Sequence, residues 1–401
     1  MKLNKIIPAR KTENVRYAIR DIISLANQVA ATGKQMYYLN IGDPNIFDHV
    51  TPNSVIEATI KAMKDNHNGY APSNGIKSAL DAISEDANKK GIHNILDVFV
   101  TSGASEAIEI CLSALLNPGE NFLMPTPGYP LYTAVESKLE LESNPYYLSE
   151  DNGWQPDIED IKSKINSKTR AIVLINPNNP TGSISKVEIL HQIIELALEH
   201  NLVIFADEIY DKLIFDNREL VSIASLNQDV SCITFSGLSK NYVAPGFRIG
   251  WGVVSGRNEV LADYIEAINK LLRARVSSNH PEQHSIAPAL RGDQSHLIEL
   301  INKLQVRRDI MVEILSTIEG ISLVKPEGAF YAFPTIKVKN DTQFVAELIK
   351  ETGVVVVPGS GFGQRPGTNH FRIVTLPQEE ILREAFKLIG EYYKYYLTKF
   401  E

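Results

Sequence analysis

Three short apolar runs in the middle of this chain each break off at polar residues, and that repeated change of character restricts the possible folds more than any other feature. Ala171-Ile172-Val173-Leu174-Ile175 gives way to Asn176-Pro177-Asn178-Asn179-Pro180-Thr181-Gly182. Leu202-Val203-Ile204-Phe205-Ala206 gives way to Asp207-Glu208-Ile209-Tyr210, and Cys232-Ile233-Thr234-Phe235 to Ser236-Gly237-Leu238-Ser239-Lys240. A continuous β-branched run without alternation is the pattern of a parallel strand buried on both faces. In open α/β sheets, ligand chemistry collects outside the carboxyl ends of such strands. The chain is therefore expected to be α/β, with a site assembled from the residues that follow the runs.

Those residues carry chemistry. Lys240 sits among small residues, with Arg248 eight positions on, before a further run from Ile249 to Val254. A nucleophilic lysine needs a rigid setting, partial desolvation and cationic neighbours that lower its pKa. An arginine beside it can grip a phosphate with two parallel bonds. Together they suggest a covalently attached aldehyde cofactor bearing a phosphate, pyridoxal 5'-phosphate. Taken alone, Lys240 reads as readily as a surface lysine in a glycine-bearing turn. Earlier, Val98-Phe99-Val100-Thr101 leads into Ser102-Gly103-Ala104-Ser105-Glu106, which opens a helix through Ile108, Cys111, Leu112 and Leu115. A helix start after a small-residue turn aims backbone N–H groups and the helix dipole at an anion. The two prolines and three asparagines after Ile175 make a rigid polar turn, and Ser185 with Glu188 spells a capping box for the helix that follows. Arg372, inside the apolar Phe371-Arg372-Ile373-Val374, needs a partner for its charge. A helical spacing from Glu13 to Gly33, and another from Glu259 to Arg275, complete the coarse reading.

The stretch from Gly237 through Lys240 to Arg248 and Gly250, the NPNNPTG string and FRIVTLP resemble the class I pyridoxal-phosphate aminotransferases, and nearest among these the alanine aminotransferases of bacteria and archaea. The resemblance covers nearly the whole chain. It implies a fold type I transferase: a large domain around a mostly parallel seven-stranded sheet, residues 51–285, with a small α+β domain. The small domain would comprise an N-terminal arm and first part at 1–50 together with 286–401. It also implies roles. Lys240 carries the cofactor and then shuttles a proton, Asp207 holds the pyridine nitrogen, and Tyr210 and Asn179 contact the phenolic oxygen. Tyr129 stacks on the ring. Ala104, Ser105 and Arg248 hold the phosphate, with Ser236 or Ser239 in place of the serine that many relatives have at the position of Gly237. Tyr70 reaches the phosphate of a second subunit, making a homodimer with shared sites. Gly42, Asn179 and Arg372 take the substrate carboxylate, and Arg275 is either a helix-terminal cation or a partner for a second carboxylate. The implied reaction is ping-pong transamination from an L-amino acid, L-alanine first, to 2-oxoglutarate. The rivals are an aspartate or broad-specificity aminotransferase, a C–S lyase or decarboxylase on the same fold, and a non-catalytic ligand sensor.

Composition removes several other classes. The net charge of −8 and the lack of a basic run argue against nucleic-acid binding. No window reaches the ~20 apolar residues of a membrane helix. Cys111 and Cys232 lie far apart and form no CxxC motif, which fits a reducing cytoplasm. The nine histidines are scattered without an HExxH, so no metal is expected in catalysis.

Overall fold

The structure, a computed structural model, describes residues 5–15 and 18–400. Its central sheet contains β2 (Ile95–Thr101), β3 (Asn121–Thr126), β4 (Glu142–Ser149), β5 (Gln155–Pro156), β6 (Thr169–Ile175), β7 (Val203–Asp207), β8 (Cys232–Gly237) and β9 (Gly250–Ser255). Their spatial order is β2-β9-β8-β7-β6-β3-β4-β5. The neighbours from β8 through β7, β6 and β3 to β4 run parallel, whereas β9 is antiparallel to both β8 and β2. The sheet has eight strands rather than the expected seven, because the two residues of β5 fold back on the end of β4.

The apolar runs do what their composition requires. In β6, Ile172 and Leu174 join one apolar cluster, while Ala171, Val173 and Ile175 join another on the opposite face. The first cluster is completed by Ile83 and Ala87 of α3 (Lys77–Lys89) and by Ile193, Ile194 and Ala197 of α7 (Val187–Glu199). The second takes Ile108, Cys111 and Leu112 of α4 (Ala104–Leu115) and Leu261, Ile268 and Leu272 of α8 (Asn258–Ala274). Fully burying a side chain such as Val173 or Phe205 contributes about 1.5–3 kcal/mol. The register aligns the strand ends: Ile175 lies opposite Asp207, and Asp207 opposite Phe235. The polar residues after each run therefore emerge at one edge of the sheet.

The ends of the chain share a separate core. Ala26 and Val29 of α1 (Ala18–Ala30) and Leu39 pack with residues between Ile310 and Tyr396. The latter come chiefly from α11 (Ser295–Leu315), α12 (Asp341–Thr352) and α13 (Glu379–Phe400). Here β1 (Tyr37–Tyr38) runs parallel to β13 (Val354–Val355), and β10 (Ile321–Ser322) pairs with β12 (Thr335–Ile336). A three-stranded sheet places β15 (Phe371–Val374) between β11 (Tyr331–Ala332) and β14 (Val357–Pro358). The short helix α10 (Ile286–Arg291) packs on α3, and its Ile286, Ala289 and Leu290 belong to the sheet's cluster.

Two local expectations change. The N-terminal helix begins at Ala18, after a single 3-10 turn at Arg10–Asn14. Arg16 and Tyr17, within the expected helix, lie outside the described residues. The Ser185–Glu188 capping box does not form: the Ser185 N–H donates to Asn176 Oδ1 at 3.0 Å, and α7 starts only after Lys186.

Candidate active site

The aligned strand ends open onto a cavity of about 340 Å³. Gly42, Ala104, Ser105, Tyr129, Asn179, Asp207, Tyr210, Ser239, Lys240, Arg248 and Arg372 all line it. These come from seven separate stretches of sequence; the register of the central sheet gathers most of them, and Gly42 and Arg372 reach the cavity from the segments near the two ends of the chain.

Asp207, the last residue of β7, is 4% exposed. Tyr132 on α5 (Pro130–Lys138) donates to its Oδ2 at 3.1 Å, and the Ile209 N–H donates to Oδ1 at 3.4 Å. Burial pushes its pKa up to about 6 against the opposing pull of these two donors. No cation pairs with Asp207 among the described residues, so the cavity itself is where its counter-charge belongs. A protonated pyridine nitrogen has that character.

Lys240 follows β8 and donates from Nζ to the Gly42 carbonyl at 2.7 Å. Burial lowers its pKa to about 8, Asp43 opposes the shift, and the nearby Arg372 and Arg248 add to it. The amine is thereby brought within reach of its neutral, nucleophilic form near physiological pH. A Cβ on Gly42 would collide with the Tyr331 hydroxyl, so a larger residue there would have to displace that ring.

An anion cradle lies at the start of α4. Arg248 Nη2 donates to Ser105 Oγ at 3.3 Å and to the Ser102 carbonyl at 3.4 Å, with Ser239 on the same wall. Gly103 takes φ +81°, and a Cβ on it would strike the Arg248 guanidinium. Gly250 is equally constrained, since a Cβ there would enter the backbone of Ala104. The first amides of α4 have no partners within the helix and, with the guanidinium and two hydroxyls, form a site suited to phosphate. The residues present thus fit pyridoxal phosphate at three points: amine, carboxylate and anion cradle.

On the opposite wall Arg372 is 1% exposed and lies between the rings of Tyr331 and Phe362, 4.7 Å from each centroid. It donates to Asn179 Oδ1 at 3.2 Å and to the Asn40 carbonyl at 2.5 Å. The Tyr210 and Tyr331 hydroxyls are 2.9 Å apart, and burial, then Tyr331, holds the Tyr210 phenol well above its usual pKa. Tyr210 is therefore a neutral hydroxyl at the cavity. Tyr129 caps the start of α5 and packs against both apolar clusters.

Three candidates stand elsewhere. Ser236 is buried within β8 and does not line the cavity, so of Ser236 and Ser239 it is Ser239 that does. Tyr70 is 85% exposed and lies off its own chain's cavity. Arg275 donates to the carbonyls of Val100 at 2.6 Å and Ser73 at 3.2 Å, and its Nε is 3.6 Å from Glu106, so it braces the backbone outside the cavity. Sequence reasoning missed Tyr132, Tyr331 and Asp43. Tyr132 lies one helical turn after Tyr129, and Tyr331 lies within the aromatic Phe330-Tyr331-Ala332-Phe333. Both read as packing until the sheet brings Asp207 and Gly42 to them.

A family model described as aminotransferase class I and II matches residues 34–388. The chain belongs to that family. This aminotransferase is 40% identical over 387 residues to the glutamate-pyruvate aminotransferase AlaA of Escherichia coli K12, covering 94% of this chain and 95% of the relative. It is 39% identical over 393 residues to the alanine aminotransferase of Mycobacterium bovis, covering 95% and 91% respectively. Among solved structures, the alanine aminotransferase from Pyrococcus furiosus superposes with a TM-score of 0.94 at 39% identity, over 97% of this chain and all (100%) of that one. The family and these neighbours agree with the α/β transferase fold built around the central sheet.

Proposed function

We propose that this aminotransferase uses pyridoxal 5'-phosphate to move the amino group of L-alanine to 2-oxoglutarate, giving pyruvate and L-glutamate by a ping-pong sequence. The observation that carries the reading is one cavity holding the Lys240 amine, the counter-charge-seeking Asp207 and the buried Arg372. When bound, the cofactor supplies the electron sink that loosens the bonds to Cα. The protein's own residues do the rest. Lys240 would hold the cofactor through its amine and, as a free amine, would take the proton from the substrate Cα as general base and give it back as general acid. Asp207 keeps a positive charge on the ring nitrogen, with Tyr132 fixing the carboxylate's orientation. Tyr210 and Asn179 offer polar contacts to the ring oxygen, and Tyr129 covers one ring face. Ser105, Ser239, Arg248 and the start of α4 take the phosphate. Arg372 clamps the α-carboxylate with its planar fork, held in place by Asn179, the Asn40 carbonyl and two aromatic rings.

Ile23, Ile41 and Leu131 also line the cavity, which suits a small apolar substrate side chain. The names of the E. coli and M. bovis relatives point to the same donor. We place the enzyme in the cytoplasm, where two buried free thiols stay reduced, and assign a homodimer in which Tyr70 serves the neighbouring site. No helix among the described residues is long and apolar enough to cross a membrane. The two-part division, a sheet domain with a smaller unit drawn from both chain ends, belongs to the same reading.

A donor screen against 2-oxoglutarate and pyruvate tests the substrate pair. Borohydride reduction followed by peptide mapping tests the attachment point, and a label on any lysine other than Lys240 overturns the central assignment.

A further inference from the structure

Three of the nine scattered histidines converge away from the cavity. His280 begins the short helix α9 (His280–Gln283), and His284 follows one turn later at its C-cap, so both project from the same side. His67 is brought to them by the end of α2 (Asn53–Lys64). There Asn66 takes φ +65°, the His67 N–H donates to the Ala62 carbonyl at 3.0 Å, and the Asn66 N–H donates to the Met63 carbonyl at 3.2 Å. This paired closure fixes the direction in which the chain leaves the helix. The ring centroids of His67 and His284 are 4.4 Å apart, those of His280 and His284 5.4 Å, and those of His67 and His280 5.5 Å. One ligand atom from each lies within 4.8 Å of the others.

Two further details separate this group from a chance meeting of polar side chains. His280 bonds the Gly69 carbonyl through Nδ1 at 2.9 Å, which places the proton on that nitrogen and leaves Nε2 as a lone-pair donor. Metal-ligating histidines are oriented by that kind of bond to a backbone carbonyl. His284 Nε2 is buried and has no hydrogen-bond partner.

We propose that His67, His280 and His284 form a binding site for a divalent transition-metal ion of the zinc type. Three imidazoles suit zinc, nickel or copper and not magnesium or calcium, which prefer oxygen ligands. In a tetrahedral zinc site the ligand nitrogens stand about 3.3 Å apart, so closure from the observed spacing needs only side-chain rotation and small backbone adjustment. The exposed side of His67 leaves the fourth position to water. The ion would tie α9 to the segment before Tyr70. Asn279, the residue before His280, bonds Ser102 Oγ at 3.1 Å and the Phe247 carbonyl at 3.0 Å, so the clamp adjoins the supports of the anion cradle.

The test uses chelator-stripped holoenzyme dialysed against buffered zinc, with bound metal counted by atomic absorption. Wild type is compared with His67→Ala, His284→Gln and, as a control on the exposed face of α7, His191→Ala. One zinc per chain is expected in wild type and in the control, and none in the other two at the same free-ion concentration. Zinc but not magnesium should raise the thermal midpoint of wild type and leave that of His67→Ala unmoved. His67 is exposed, so its alanine variant folds, and the visible band of the lysine-linked cofactor reports that directly. Failure of wild type to bind zinc, or equal zinc in all four proteins, overturns the proposal. Loss in only one of the two cluster variants rejects the three-histidine set.

Discussion

A lysine with a pKa of about 8 is roughly one-tenth neutral at pH 7, against on the order of 0.03% for an unperturbed one. The sign follows from the cause: burial disfavours the ammonium, so the proton leaves at lower pH. Cofactor attachment to the apoenzyme needs the neutral amine. Its rate should therefore climb with pH and level off near 8; stopped-flow reconstitution that kept climbing towards 10 would show the amine to be solvated. The carboxylate across the cavity makes a second case. Asp207→Asn should fold and bind cofactor but lose on the order of 10²- to 10³-fold in kcat, because a neutral amide cannot hold a ring charge in place. Asp207→Glu should lose less. Tyr132→Phe removes the donor to Oδ2; a hydrogen bond to a charged group contributes about 1.5–3 kcal/mol. Cofactor affinity, measured by fluorescence titration of the apoenzyme, should fall by at least tenfold, with the lysine-linked absorption band intact at saturation.

Elements show why some of this was legible in the sequence and some was not. The buried strands declared themselves because β6, β7 and β8 are apolar on both faces, and that composition suits little else. Their polar ends predicted the site because strand and turn are adjacent in sequence. Tyr132 stayed hidden because its partner is 75 residues away, across the sheet edge, and Tyr331 because an aromatic beside Phe330 and Phe333 looks like core. The capping box failed for a related reason: Asn176, at the end of β6, captures the Ser185 N–H and delays the helix. Arg275 is the instructive case, since the two roles its sequence allowed are separated by one observation. At the C-terminus of α8 its guanidinium ties the ends of β2 and the 71–76 turn to the start of α4. Arg275→Ala should therefore cost about 1–3 kcal/mol of stability, the range for leaving buried polar groups unmade. It should alter KM for alanine and for 2-oxoglutarate to the same degree. A selective rise for the dicarboxylate, seen in steady-state kinetics of the purified variant, would restore its role as a substrate contact.

At the scale of the whole molecule, Tyr70 is the residue that bears most directly on assembly. A tyrosine that is 85% exposed on a short loop between α2 and α3 buries almost none of its ring within its own chain. One exposed aromatic needs no explanation, but Met63 and Val276 are also exposed large apolar side chains, and Val50 is 80% exposed. A homodimer placing Tyr70 over the neighbour's α4 cradle would give the hydroxyl a phosphate to bond and would make each site depend on two chains. Mutants at opposite ends of that arrangement should then complement. Lys240→Ala destroys the site in the chain that carries it, while Tyr70→Phe weakens the site of its neighbour. In a hybrid dimer one site inherits both defects, and the other has an intact lysine and an intact tyrosine. Mixing the two inactive or impaired homodimers under subunit-exchange conditions should restore up to half the wild-type activity per dimer, with the KM of wild type. If Tyr70 instead served its own chain, every hybrid site would keep one defect. Activity would then stay at the mean of the parents in heterodimers verified by native mass spectrometry, and the shared-site reading would be rejected.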